Sequence, residues 1–556
     1  MIAAMARSPL FAALRRALRT AELARRTGRD PAELLAAAAI RRERDRDRGI
    51  DRRTLLRSTL GAAALVPLAA AACGDNVDGS ARVAVIGAGT AGLHCAVRLA
   101  EAGVDVTVYE ASGRTGGRMF TDRGPYPDGK VIELGGELID TGHTVMQDLA
   151  TELGLTLDDL AAGDAGVRGD TFYFDGQIIS AATLATEFAP LATRMAMAAA
   201  SEDTPSEFER LDNLSIPQWL AGDGMLPTTS LIRRILERAY IGEYGLEVEE
   251  QTVWNLLWLI DFETADPFRI YGDSDERYHL HEGNQAVPDG LAAQLPGRIE
   301  LGHELVAVTT RSDGRPVLTF DTDGGTVETS PDRVVFALPF TLLRRLDLTG
   351  AGLTDGKQTI IRNLGYGTNA KLMMRFGSRP WRTTGLASGG AVSDLGAMQA
   401  TWETSRGYGG VDGILTNFVG GNRGVAMGMG SAEDRAAETL PWIDTVFPGT
   451  QAAYLAGSAV RQHWPTAPFA LGSYACYKLG QGGFAGLEGE AEGAFHFCGE
   501  HTSVEAQGYM EGAAETGLRA ADEVLTEFGL PAGPAMRRML ARAAAKPRRR
   551  RRHRGT

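Results

Sequence analysis

Two tyrosines stand beside glycines late in this chain, Tyr474 in FALGSYACYKLGQ (Phe469 to Gln481) and Tyr509 in QGYMEGA (Gln507 to Ala513). A glycine next to an aromatic residue lets the backbone pass tight against something large and flat. Lys371 is followed by the apolar Leu372, Met373 and Met374, the setting of a strand that faces inward. A lysine kept out of water needs a reason, and the usual reason is function. Much earlier, Gly87, Gly89 and Gly92 form G-x-G-x-x-G, and Glu110 lies 23 residues beyond Gly87. That spacing suits a nucleotide: Gly87 for the tight turn, Gly89 for close approach of the backbone to a pyrophosphate, Gly92 for close packing of helix on strand. An acid at Glu110 would bond ribose hydroxyls.

Such residues need a βαβ frame, and the flanking sequence supplies one. Arg82 to Ile86 reads as a buried strand, Leu93, Ala96, Val97 and Ala100 repeat at helical spacing, Gly103 ends the helix, and Val104 to Tyr109 reads as a second strand. The helix would start near Ala91 and turn its unpaired N–H groups toward the phosphates. ASGRTGGRMFT (Ala111 to Thr121) follows at once, and its Arg114, Gly116, Gly117 and Arg118 would add a second set of phosphate contacts. A nicotinamide cofactor does not need that second set.

Bulk properties set limits. At 556 residues the chain has room for two or more domains. Its net charge of −13 hides an asymmetry. Residues 1–73 hold 15 basic and 7 acidic side chains, so the remainder, with 42 basic and 63 acidic, carries −21. An acidic body argues against nucleic acid and is compatible with cationic substrates. Cys73, Cys95, Cys476 and Cys498 form no CxxC pair, so neither a metal site nor thioredoxin-like chemistry has support. Cys95 and Cys498 read as packed small side chains. Asp51 to Gly74 has the build of an export signal: a basic start, an apolar stretch of about 15 residues and small residues at its end. Arg52-Arg53 resembles a twin-arginine signal, which implies the twin-arginine export machinery as a partner and a periplasmic or envelope location. Ala70-Ala71-Ala72 offers a cleavage site, Cys73 an alternative lipid anchor, and a cytoplasmic protein with an N-terminal helix is the plain alternative. The tail from Lys546 is a basic run expected to be disordered.

Together with the βαβ unit, ASGRTGGRMFT and IELGGELID (Ile132 to Asp140) resemble the flavin-containing amine oxidase superfamily, the monoamine, polyamine and L-amino-acid oxidases. The resemblance runs discontinuously from about Ala81 to Gly529 and implies non-covalent FAD. It places Ala111, Gly135, Gly136 and Glu137 along the cofactor. HELVAV (His303 to Val308) looks like the strand whose valine, Val306, meets the adenine through its backbone. FHFCGEHTSVEAQGYMEGAAETGLRAA (Phe495 to Ala521) resembles the C-terminal flavin motif, with Gly499 and Glu500 at the ribityl and pyrophosphate part, and with a helix opening near Gly508 whose N–H groups, that of Met510 included, face the flavin ring. A helix N-terminus there favours the negative charge of a reduced flavin. Tyr474 and Tyr509 match the two aromatic residues that flank the substrate in front of the ring. Lys371, in YGTNAKLMMRF, matches the lysine that holds a water near flavin N5. Ser473 stands where covalent relatives carry a flavin-bonded cysteine.

The fold class implied is α/β: a Rossmann-like FAD-binding domain of the two-dinucleotide-binding type with an interleaved α+β substrate domain. The expected boundaries are 1–80 for the leader, 81–150, 291–345 and 461–530 for the FAD domain, 151–290 and 346–460 for the substrate domain, and 531–556 for a basic tail. Ile241 to Phe262 reads as an amphipathic, aromatic-rich helical stretch in the substrate domain. The activity implied is oxidation of a primary or secondary amine to an imine, with a hydride equivalent passing to FAD and O2 reduced to H2O2. L-amino-acid oxidases bind the substrate carboxylate with an arginine soon after the GG of ELGG. Here that stretch offers Glu137 and Asp140 instead, which favours an amine over an amino acid. Three rival readings are an L-amino-acid oxidase, a desaturase or isomerase on the same fold, and a non-catalytic flavoprotein.

Overall fold

A computed structural model describes residues 81–545 apart from Pro125. The expectations on the twin-arginine pair, on Cys73 and on the run from Lys546 lie outside the described residues.

Five short strands rich in β-branched residues form a parallel sheet in the order Phe495–Phe497, Arg333–Phe336, Arg82–Ile86, Asp105–Glu110, Ile299–Leu301. Runs such as RVAVI and RVVF suit a sheet covered on both faces. The helix Thr90–Glu101 packs on one face and is itself covered by the long helix Met510–Glu527. Val83, Leu93, Cys95, Val106, Ala514 and Leu518 meet in this core. The other face carries the Phe336, Phe340, Phe495 and Phe497 cluster.

Two further large sheets accompany it, beside two two-stranded ones. Glu304–Thr310 pairs with Pro316–Thr322 in a four-stranded layer, and the register shifts between Leu305 and Ala307. Val306 is the extra residue of that bulge, so its backbone drops out of the antiparallel ladder. The third sheet has seven strands and holds Ala370–Phe376 between Val460–His463 and Gly413–Val419.

The structure departs from expectation in three places. Arg461 to His463, grouped on sequence with the FAD domain, pair with Lys371 and its neighbours in the seven-stranded sheet. The stretch Ile241 to Phe262 is not one helix: Leu231–Tyr244 stops at Gly245 (φ 72), and Val253–Leu259 begins a new one. A left-handed residue there ends the helix, which glycine tolerates and most residues do not. Residues 531–545 are not part of a disordered tail. They include the helix Pro534–Ala545, which buries Met536 and Met539 in the core that also holds the helix Met510–Glu527. Its basic residues suggest a solvated tail, but two methionines three apart supply the apolar face that docks it. No described helix is long and apolar enough to cross a membrane.

Candidate active site

The nucleotide end is built from contiguous chain. A Cβ on Gly92 would lie 2.0 Å from the Gly87 carbonyl, so helix and turn pack as the motif requires. A Cβ on Gly89 would meet no protein atom within 4 Å. Gly89 thus opens onto space that protein does not fill, where a pyrophosphate fits. The second loop docks on the first through Gly116 N–H to the Ala88 carbonyl (2.8 Å), and Gly117 faces Gly89. Glu110 accepts from Ala88 N, Ser112 N and Ser112 Oγ. A carboxylate has about four acceptor sites, so one is left toward a ribose. Arg114 curls over Phe120 and donates to the Thr115 and Gly117 carbonyls. The donor set, the open cradle and the bulge at Val306 suit a dinucleotide. The Met510 side chain packs against Gly136.

Glu500 does something the sequence did not suggest. One carboxylate oxygen accepts from Arg118 (2.8 Å) and Ala475 N (3.3 Å), the other from Gly508 N (2.9 Å). Ala475 follows Tyr474 and Gly508 precedes Tyr509. A single buried carboxylate therefore ties together the backbones of both tyrosines. Gly499, just before it, is held by Thr516 Oγ1 at 2.9 Å. Gly508 (φ 89) lies 3.4 Å, as a Cβ would, from the Tyr474 ring. The flat group that this glycine admits is the other tyrosine.

At their far ends both tyrosines reach Glu243, in the last turn of the helix Leu231–Tyr244. The Tyr474 hydroxyl donates to the Glu243 carbonyl, and the Tyr509 hydroxyl lies 3.4 Å from Glu243 Oε1. The last carbonyls of a helix lack intrahelical donors. Here Tyr474 satisfies one and Asn369 Nδ2 another, that of Gly242 at 2.6 Å. Ser473 Oγ donates to Asn369 Oδ1, so the segment Ser473-Tyr474 caps the helix through both residues. Burial, then the nearby Glu243 charge, holds the Tyr474 hydroxyl well above its usual range. His143 stands edge-on to Tyr509, ring centres 5.2 Å apart.

Lys371 is buried as its strand predicts, but its ammonium is fully engaged. It donates to the Glu133 carbonyl (3.0 Å), the Gly135 carbonyl (2.7 Å) and Glu137 Oε2 (2.8 Å). An ammonium has three N–H groups, so a water-holding role does not follow from this arrangement. Glu137, expected as a receiver of a substrate cation, is the partner of Lys371 instead. Burial opposes its charge, but Lys371 outweighs that and holds the carboxyl below its ordinary value. Asp140 is also engaged. Its Oδ1 accepts from Ser274 Oγ (3.0 Å) and Glu276 N (2.9 Å), and Oδ2 lies 3.3 Å from His143 Nε2. It anchors the loop that carries Glu276.

Besides Glu243, the acids Glu276 and Asp170 are ones that the sequence does not mark. Glu276 and Asp170 are exposed side chains on separate segments that the fold brings near each other. Desolvation, with Asp170 and Asp140 close by, pushes the Glu276 carboxyl up to about 8, and desolvation raises Asp170 as well. Glu276 has a left-handed backbone (φ 46), strain that a side chain bears only where the surroundings enforce it. Arg406 offsets these acids in part, but it also reaches Asp164 Oδ2 at 3.4 Å. No motif marks this set: the residues come from separate loops, and acids on loops normally read as solvated. Among the described residues no group of three could hold a metal ion.

The family model of flavin containing amine oxidoreductases matches residues 90–525, most of the chain. The chain belongs to this family. A flavin-dependent L-tryptophan oxidase of Lentzea aerocolonigenes is 25% identical over 499 residues, 80% of this chain and 97% of the relative. Among solved structures, a putrescine oxidase bound to putrescine superposes with a TM-score of 0.67 at 22% identity, covering 80% of this chain and 99% of its own. Cyclohexylamine oxidase from Brevibacterium oxydans gives 0.69 at 20% identity, covering 81% and 100%. At those identities the structures speak for the fold. This amine oxidoreductase is thus a flavin-dependent enzyme with FAD as its cofactor, as the sequence resemblance implies. Cys95, Cys476 and Cys498 are buried and free, and Ser473 offers no sulfur for a flavin bond.

Proposed function

We propose that this enzyme oxidises a small primary or secondary amine to an imine, which water hydrolyses to an aldehyde and ammonia or a smaller amine, while O2 takes the two electrons as H2O2. FAD, when bound, supplies the hydride-accepting chemistry. Tyr474 and Tyr509 would orient the amine between their rings and exclude water, leaving its C–H bond toward the cofactor. The Lys371–Glu137 pair fixes the wall on which the cofactor rests.

The observation that carries the amine reading is the acid at the tyrosine hydroxyls: Glu243 meets Tyr474 through its carbonyl and Tyr509 through Oε1 at 3.4 Å. The carbonyl end of the helix Leu231–Tyr244 points the same way, and a helix C-terminus favours cations. A substrate ammonium is drawn in and a substrate carboxylate repelled.

The tryptophan oxidase relative supports a second reading, oxidation of an L-amino acid whose carboxylate would meet Arg406. The experiment that separates the two is peroxide release from flavin-loaded protein with putrescine, cyclohexylamine, benzylamine, L-tryptophan and L-arginine. Turnover confined to the amines supports the first reading. Turnover confined to amino acids, and lost in Arg406→Ala, supports the second. Export belongs to the same proposal, and Arg52→Lys with Arg53→Lys is expected to retain the protein inside the cell.

A further inference from the structure

We infer that Glu243 is the positioning residue that sets the spacing between Tyr474 and Tyr509. The inference rests on the reading of those two tyrosines as the walls of the amine site. Their backbones are already joined at one end by Glu500 through Ala475 N and Gly508 N. A tyrosine pivots about its own Cα–Cβ and Cβ–Cγ bonds, so a fixed backbone does not fix the gap between two rings. Something must hold the hydroxyl ends, and both reach one residue: Tyr474 through the Glu243 carbonyl, Tyr509 through Glu243 Oε1 at 3.4 Å.

That residue is itself immobilised. Its helix ends at Gly245, whose N–H bonds the Ile241 carbonyl at 2.9 Å and whose own carbonyl accepts from Thr368 N (2.7 Å) and Gly421 N (3.0 Å). Gly242, next to Glu243, is held by Asn369, and Asn369 by Ser473. The arrangement is a frame closed at both ends by a glutamate. Glu500 belongs to the flavin motif, and Glu243 to a helix on the substrate side. The frame therefore lets the substrate-side helix control how wide the tyrosine gap stands. Glu243 touches neither reacting atom in this account and acts through Tyr509.

The two contacts are separable. Removing the carboxylate leaves the backbone carbonyl and its bond to Tyr474 in place, and deletes the contact to the Tyr509 hydroxyl. The test is a four-protein cycle on the flavin-loaded full-length chain: wild type, Glu243→Ala, Tyr509→Phe and the double variant, with Glu243→Gln added. With putrescine and cyclohexylamine as probes, Glu243→Ala is expected to lower kcat/KM about tenfold or more through misplacement of one wall. Glu243→Gln, which still accepts from the tyrosine hydroxyl, recovers most of that loss. In the Tyr509→Phe background the Glu243→Ala substitution has little further effect. The same cycle is read without turnover by thermal unfolding, where the double variant loses less Tm than the two single losses combined. Additive losses in both readouts, or a Glu243→Ala enzyme within twofold of wild type with an additive melting cycle, overturn the inference. If no amine is oxidised by any of the proteins but the melting losses are non-additive, the Glu243–Tyr509 contact stands and the amine reading fails instead.

Discussion

The nucleotide cradle and the cluster of acids around Glu276 are built in opposite ways. The cradle takes Gly87, Gly89, Gly92, Glu110 and Gly117 from thirty-odd consecutive residues of one βαβ unit and its following loop. The acid cluster takes Asp140, Asp170, Glu243, Glu276 and Arg406 from five separate segments, each positioned by an element that packs elsewhere. A cradle satisfied by local backbone tolerates little change in its glycines and much change around them. A cluster assembled from distant loops depends on its braces: the Lys371–Glu137 pair, the Asp140 anchor and the two glutamates that frame the tyrosines.

The braces give the largest expected effect. Lys371→Met leaves Glu137 buried without its cation and is expected to cost about 3–5 kcal/mol in denaturant unfolding. Lys371→Met combined with Glu137→Gln should recover a good part of it. The pH dependence has a defined sign. Glu137 is held below its ordinary value, so the stability it lends is present at neutral pH and is lost as pH falls through that lowered value. Acid unfolding of wild type should show this loss, and the double variant should not.

The cradle separates two glycines that look alike in sequence. Gly92→Val would push a side chain into the Gly87 carbonyl and is expected to destabilise the fold by about 3 kcal/mol, flavin or no flavin. The added Cβ of Gly89→Ala meets no protein atom within 4 Å, so the melting temperature of the flavin-free protein should stay near wild type while FAD binding is weakened. Equal destabilisation by both would mean that the space at Gly89 is not a ligand's.

A smaller effect sharpens the acid cluster. With its carboxyl pushed up to about 8, Glu276 favours the folded state less and less as pH rises from its ordinary value of 4.5 toward 8. Glu276→Gln should flatten that slope in melting temperature between those pH values. The smallest expected change is Tyr474→Phe. It leaves the Glu243 carbonyl without its cap and should cost about 1 kcal/mol.

The sequence made the cradle legible because its constraints are local: three glycines, a strand pattern and one acid at fixed spacing imply the turn, the helix and the sheet without knowledge of the rest. The seven-stranded sheet carries no comparable marker, so the pairing of Arg461 to His463 with the Lys371 strand is not legible in the sequence. Tyr474, Tyr509 and Lys371 were visible as residues, since each stands in an unusual setting. Their partners were not. That Lys371 would meet Glu137, or that Glu500 would bridge Ala475 and Gly508, follows from chain crossings more than two hundred residues apart in the first case, and no spacing encodes it. Asp170, Glu243 and Glu276 were hidden for a plainer reason. An acid on a loop or at a helix end normally belongs to water, and only the fold brings these three close together.

The central claim, that this flavin enzyme draws a cationic amine to a tyrosine-lined site, is tested most directly without oxygen. Flavin-loaded protein is mixed anaerobically with putrescine, cyclohexylamine, benzylamine, L-tryptophan and L-arginine, and the visible absorbance of the flavin is followed. This reads the C–N oxidation itself, whatever acceptor reoxidises the cofactor. The account predicts rapid bleaching by one or more of the amines and none by L-tryptophan. Bleaching by the amino acids alone, or by none of the five, would contradict it.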